Sequence, residues 1–131
     1  MSTGKILIVE GDLTLSGMLQ NQLRDKGYVV DTQQTAEKAF EELRREWVDL
    51  LIVSTDLQGE MDGFRFIKEL KKDKDLCNIP VLIDSSKPGI KEVVQNLGIS
   101  GYFEKPLDVE DLKKKVAEII EKKGQANVDK M

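Results

Sequence analysis

A chain of 131 residues with 40% hydrophobic and 34% charged side chains has the make-up of one soluble globular domain, too apolar for disorder and too short for two cores. Its net charge of −4 argues against a nucleic-acid-binding surface, and the runs Lys113-Lys114-Lys115 and Lys122-Lys123 are interleaved with Glu110, Asp111, Glu118 and Glu121, as on a solvated helix face. With no histidine and one cysteine, Cys77, the sequence excludes imidazole acid–base catalysis, Ser-His triads, an internal disulfide and multi-thiolate metal sites.

Ile6-Leu7-Ile8-Val9 is a continuous apolar run, the pattern of a strand covered on both faces. Asp12 suits the N-cap of a helix that carries Leu15, Met18, Leu19 and Leu23 on one face and stops at Gly27. Tyr28-Val29-Val30-Asp31-Thr32 reads as a shorter, more exposed strand. The next helix turns Ala36, Ala39, Phe40 and Leu43 inward and closes at Trp47. A third strand runs from about Leu50 to Ser54 or Thr55, and a third helix starts near Gly63 with Phe64, Ile67 and Leu70 inward, ending in the polar stretch 71–75.

Pro80-Val81-Leu82-Ile83 predicts the fourth strand, and Ile90, Val93, Val94 and Leu97 mark a helix of about two turns. Tyr102-Phe103 sits on a short fifth strand. Asp108 caps a last helix with Val109, Leu112, Val116, Ile119 and Ile120 as its inward stripe, and Gly124 ends it. The expected organisation is one unit over 1–124 and a polar tail or linker stub over 125–131. No stretch approaches the ~20 apolar residues of a membrane span and none at the N-terminus reads as a signal peptide, so a cytoplasmic protein without membrane contact is expected.

Five strands alternating with five helices predict right-handed crossovers and an α/β sandwich, with a parallel five-stranded sheet in the flavodoxin-like (βα)5 order 2-1-3-4-5. Glu10, Ser54, Asp56, Ser85 and Lys105 all fall at or just after strand ends, which places them at one edge of that sheet.

Ile6-Leu7-Ile8-Val9-Glu10, Val48-Asp49-Leu50-Leu51-Ile52-Val53-Ser54 with the following Gly59-Glu60-Met61-Asp62-Gly63, and Lys105-Pro106 together resemble the CheY-like receiver domains of two-component signalling, over about residues 5–122. The resemblance implies an acidic pair after strand one that holds Mg²⁺, a hard cation wanting oxygen ligands. It also implies a phospho-accepting aspartate after strand three, and a hydroxyl and a lysine after strands four and five that grip the phosphoryl oxygens. Here Glu10 is the first acid, the second position is Gly11, and Asp12 suits the helix cap better than a metal.

Counting five residues from Asp49, as in the family's strand, lands on Ser54, and the stretch from there to Asp62-Gly63 is one residue longer than the family's usual loop. Placing Asp56 at the acceptor position would need an insertion in or after a central parallel strand, which disturbs register and facing. The loop insertion is cheaper. A seryl hydroxyl without a neighbouring base is a poor nucleophile, so Ser54 marks a degenerate phospho-acceptor position. Asp56 shares strand parity with Ser54 and keeps two readings: a loop carboxylate that pairs with Lys105 or caps a turn, and a displaced acceptor.

The resemblance further puts Ser85 at the switch hydroxyl, Tyr102 at the aromatic that reports its state, and Lys105 at the phosphate contact, with a cis peptide before Pro106. Receivers meet partners through helix four, strand five and helix five. Residues 87–102 are about two shorter than usual and Pro88-Gly89 breaks their start, so helix four is expected short or shifted. The chain is most similar to pseudo-receivers, including the atypical receiver of gliding-motility proteins, in which a small residue replaces the aspartate and another aspartate follows two positions later.

The expected function is therefore a non-enzymatic, phosphorylation-independent module. It would dock a signalling protein (a kinase, an output domain or a motility regulator) and need no cofactor. The alternative is a working phosphorelay acceptor using Asp56, with Mg²⁺ held by Glu10, Asp12 and Asp56. A cofactor binder of the same fold is a third class, but Glu10-Gly11-Asp12-Leu13 sets acid where a phosphate cradle wants glycines and hydroxyls, and no G-x-G-x-x-G or P-loop is present.

Overall fold

In a computed structural model, residues 4–129 are described. They form β1 (Lys5–Val9), α1 (Leu13–Arg24), β2 (Val29–Gln33), α2 (Ala36–Arg45), β3 (Leu50–Ser54), α3 (Gly63–Lys72), β4 (Val81–Ser85), α4 (Ile90–Val94), β5 (Gly101–Glu104) and α5 (Val109–Asp129). The strands pair in parallel in the order β2-β1-β3-β4-β5. This is the expected flavodoxin-like arrangement.

Strand residues of alternate parity feed two apolar layers, because successive side chains leave opposite faces of a sheet. Ile6, Ile8, Leu50, Ile52 and Leu82 pack with Leu19 and Leu23 of α1 and with Leu112, Val116 and Ile120 of α5. Leu7, Val9, Leu51, Val53, Val81 and Ile83 pack with Ala39 and Leu43 of α2 and with Phe66, Ile67 and Leu70 of α3. Being covered on both faces is why β1, β3 and β4 read as unbroken apolar runs rather than as alternating ones.

The helix starts follow their caps. The Asp12 carboxylate accepts from the Thr14 and Leu15 amides, Thr35 from Lys38, Asp62 from Arg65, and Asp108 from Glu110 and Asp111. Gly63 opens α3 because a Cβ there would run into the Ser54 carbonyl, so this glycine lets the helix start close against the end of β3. Gly27, at φ 97°, takes the left-handed turn that leads α1 into β2.

Several expectations are corrected. In α3 the side chain at the centre of the stripe is Phe66, edge-on to Phe40 with ring centroids 4.8 Å apart, whereas Phe64 lies on the flank, half-buried. Counting from the first helical residue gives Gly63, Phe66, Ile67 and Leu70, the i, i+3, i+4, i+7 pattern. Met18, on α1, is exposed rather than inward. α2 ends at Arg45 with Glu46 as its cap, so Trp47 lies just beyond the helix and is exposed; α2 also buries Glu42, which accepts from the Gln33 side-chain amide at 2.8 Å.

Helix α4 is a five-residue segment, shorter than two turns, and Val93 faces outward. The last helix does not stop at Gly124 but continues to Asp129. One glycine costs only about 1 kcal/mol relative to alanine, and the flanking Glu121, Lys122, Lys123, Gln125 and Ala126 favour helix.

Candidate functional site

The two-residue alternation that fills the α1–α5 layer with Ile8, Ile52, Leu82 and Phe103 continues one step further along each strand. It delivers Glu10, Ser54, Asp84 and Lys105 to the same side at the carboxyl ends of β1, β3, β4 and β5. Their polar ends meet there. Lys105 Nζ donates to Glu10 Oε1 at 3.1 Å and to Ser54 Oγ at 3.3 Å, and lies 3.8 Å from Asp56 Oδ2 and 3.9 Å from Asp84 Oδ2. Ser54 is fully buried, and Glu10 and Asp84 are each 2% exposed. One ammonium thus stands among three carboxyl groups and a hydroxyl, in a crevice whose floor is buried and whose Asp56 side is open to solvent.

Burial pushes the Asp84 carboxyl up to about 7, and the neighbouring Glu10 carboxylate adds to this against the opposing pull of Lys105. Asp84 Oδ2 has no hydrogen-bond partner. Burial also works against the charge on Lys105, but Asp84, Glu10 and Asp56 outweigh it and raise the ammonium above its ordinary value. Asp56 goes the other way. Partial burial opposes its charge, while hydrogen bonds from Ser86 and the nearby Lys105 and Lys87 hold the carboxylate below its usual range.

Asp56 lies past the end of β3, in the loop. Its Oδ2 accepts from Ser86 Oγ at 2.6 Å and from the Ser86 amide at 3.4 Å, while its own amide donates to Ser54 Oγ at 3.0 Å. Ser85 is not among the groups around the ammonium. It has the opposite parity, shares a 2.7 Å hydrogen bond with Thr55 Oγ1, and accepts from the Lys87 amide. Tyr102 is half-buried against the α2–α3 layer and borders a groove beside Lys91, Val94 and Gly98, away from the crevice. The peptide between Lys105 and Pro106 is cis.

Asp12 is turned to the helix it caps, and its amide donates to Glu10 Oε2 at 3.1 Å. Gly11 leaves room that the next loop takes up: a Cβ there would stand 3.1 Å from the Asp56 carbonyl and 3.4 Å from Gln58 Cγ. Mg²⁺ wants an octahedron of oxygens at about 2.0–2.1 Å. As arranged, the crevice does not fit it. Lys105 lies between Glu10 and Asp56, Asp12 is engaged elsewhere, and no three acidic side chains among the described residues converge as metal ligands.

Sequence reasoning missed Asp84, Ser86 and Thr55. Asp84 was visible as a lone acid closing the apolar run Val81-Leu82-Ile83, but its meaning depends on β3–β4 register, which sets it directly beside Ser54.

A family model described as the response regulator receiver domain matches residues 6–117. The chain is 33% identical over 109 residues to a probable transcriptional regulator ycf29 of Porphyra purpurea, covering 82% of this chain and 52% of that protein. It is 29% identical over 122 residues to chemotaxis protein CheY-3 of Vibrio cholerae, covering 90% and 92%. Thus the chain spans about half the length of the ycf29 relatives and nearly all of the chemotaxis protein.

Among solved structures, it is similar to the signal receiver domain of a signal transduction histidine kinase from Syntrophus aciditrophicus, at 28% identity and a TM-score of 0.83 over 91% of each chain. A putative response regulator from Chloroflexus aurantiacus matches at 26% identity and a TM-score of 0.84, covering 91% of this chain and 98% of that one.

Proposed function

The chain belongs to the response regulator receiver domain family, and on that premise we propose that it is a degenerate, phosphorylation-independent receiver that serves as a protein-docking module. One observation carries the reading. At the end of β3, where the family's acceptor carboxylate is expected, stands the Ser54 hydroxyl, and Lys105 is already engaged by it and by Glu10. A hydroxyl can form only a phosphate ester and not an acyl phosphate, and a lysine committed to buried protein acids is not free to grip an incoming phosphoryl group. The short α4 supports the same reading, because little helix is left there to be switched.

In this reading the chain is a pseudo-receiver, like the atypical receivers of gliding-motility proteins. Its receiver unit spans 1–124, with 125–131 a polar tail or linker stub into which α5 runs as far as Asp129, and it works in the cytoplasm. Among the described residues no helix is long and apolar enough to cross a membrane. The contact surface is the α4–β5–α5 face, and the partner is a kinase, an output domain or a motility regulator. The test is transfer of labelled phosphate from a cognate kinase or acetyl phosphate in the presence of Mg²⁺. No incorporation is expected; stoichiometric, Mg²⁺-dependent labelling would overturn the reading.

A second reading is favoured by the 3.8 Å approach of Asp56 Oδ2 to Lys105 Nζ: a displaced acceptor at Asp56. It requires Asp56→Asn to abolish labelling and Ser54→Ala to leave it intact. Against it stand the two Ser86 hydrogen bonds, which occupy the oxygen nearest the lysine and lower its basicity.

A further inference from the structure

We propose that the outer edge of β2 is a latent strand-pairing surface for a second copy of this chain, and that Gln20 and Arg24 of α1 hold it closed. β2 is an edge strand of the sheet, with β1 as its neighbour. Hydrogen bonds at its two ends fix which way its backbone points: the Val29 amide donates to the Gly4 carbonyl at 3.0 Å, and the Gln33 carbonyl accepts from the Glu10 amide at 2.9 Å. In a parallel pair alternate residues turn their amide and carbonyl to the same neighbour. Val29, Asp31 and Gln33 therefore face β1, and Val30 and Thr32 turn their backbone groups outward.

An open edge of this kind is a template for another strand, and proteins blunt such edges with charged or covering side chains. Here the cover is specific. Gln20 Nε2 donates to the Val30 carbonyl at 2.9 Å, and Arg24 Nη2 donates to the same oxygen at 3.0 Å. A carbonyl oxygen has two lone pairs, and these two bonds use both. Gln20 and Arg24 stand one turn apart on α1, which is why both reach the same point of the strand.

The occupant that this edge fits is its own copy. With Asp31 opposite the Asp31 of the other copy, an antiparallel two-fold pair sets each Val30 across from the other copy's Thr32. Each Thr32 amide then donates to a Val30 carbonyl and each Val30 amide to a Thr32 carbonyl. Half of these bonds need the oxygens that Gln20 and Arg24 occupy, and the two side chains stand where the added backbone would run, about 4.8 Å from β2. The same register gives Val29, which is 56% exposed, a cross-strand neighbour in Gln33. Asp31 facing Asp31 opposes the pair, but each carboxylate has Lys5 Nζ at 3.4 Å, and salt screens the remainder.

This edge lies across the sheet from β5, so the inference goes beyond the docking reading, and its readouts do not involve phosphate. The test uses the whole chain as Gln20→Ala/Arg24→Ala, alone and with Thr32→Pro added, in about 0.5 M NaCl to screen the Asp31 charges. Sedimentation equilibrium reads self-association, and amide hydrogen exchange followed by NMR reads Val30 and Thr32. The double variant is expected to self-associate about tenfold more tightly than the native chain, with protection of both amides that rises with protein concentration. Proline at position 32 removes an outward donor without touching a bond to β1, and should return association to the native level.

A double variant that associates no more tightly than the native chain, or association that survives Thr32→Pro, would overturn the proposal. So would a double variant that unfolds, since Gln20 and Arg24 would then hold α1 to β2 and guard nothing. Should Thr32→Pro itself unfold, the amides decide: protection that does not rise with concentration would overturn the proposal as well.

Discussion

Replacing Asp84 by asparagine tests the electrostatics of the crevice with little change of shape. The Asp84 carboxyl moves from an ordinary value of 3.8 to about 7 in the folded protein, through burial and the Glu10 carboxylate. The sign follows from linkage. A group whose folded pKa lies above its unfolded value binds its proton more tightly in the native state, so its cost is absent at low pH and complete once the pH passes the folded value.

Between about pH 4 and pH 7 the native protein should therefore lose stability relative to Asp84→Asn. A shift of about 3 units at 1.36 kcal/mol each sets the difference at about 4 kcal/mol, an upper bound for a group this close to a lysine. Glu42, whose carboxyl is also raised by burial, is present in both proteins and cancels in the comparison. Lys105, raised from 10.5, holds its contribution throughout that window. Urea unfolding of the two proteins at half-unit steps from pH 4 to pH 8 measures the difference directly. Profiles that run parallel across the window would show that Asp84 does not carry a buried charge, and the reasoning would fail.

Gly63→Ala places a methyl group against the Ser54 carbonyl and should destabilise by about 1–3 kcal/mol, read as a fall in urea midpoint; an unchanged midpoint would mean that α3 can slide away from β3 freely. Asp12→Ala removes the cap of α1 and should cost about 1 kcal/mol, while the acetylation rate of Lys105 stays as it is, because the Asp12 carboxylate serves its helix and not the crevice. Gly124→Ala should raise helical circular dichroism and thermal stability slightly, by about 0.5–1 kcal/mol, because α5 runs through this position; a loss would point instead to a left-handed helix stop there.

The strand order and the layers were legible because β1, β3 and β4 are buried on both faces, and such strands announce themselves as apolar runs wherever they occur. The caps at Asp12 and Asp108 were legible for a related reason: a short polar side chain before an apolar stripe has few other uses. Ser54 and Lys105 could be placed at one edge from chain order alone, since all carboxyl ends of parallel strands lie together.

Asp84 could not be read in this way. Its neighbours in sequence make it an unremarked strand-end residue, and only the pairing with Ser54 gives it a role. Glu42 escaped for the same reason, because its burial depends on Gln33 reaching it from β2. Phe64 and Phe66 were exchanged because both satisfy part of a helical stripe until the first residue of the helix is fixed.

Two departures from the receiver pattern that look independent in the sequence lie against each other in the folded chain. Gly11 stands where the second acid of the metal pair is expected, and the stretch after Ser54 is longer by a residue than the family's usual loop. In the folded chain the loop backbone lies against Gly11, with the Asp56 carbonyl 3.1 Å from where a Cβ would be, and the loop is pinned there from two sides. A short parallel bridge joins Thr35 to Gln58, and Ser86 holds the Asp56 carboxylate. A side chain restored at position 11 would press on that loop, which would have to give by a few tenths of an ångström to admit it. Gly11, the loop after Ser54 and the Asp56–Ser86 contact thus meet in one small volume, so that a side chain added at position 11 is expected to shift Asp56 as well.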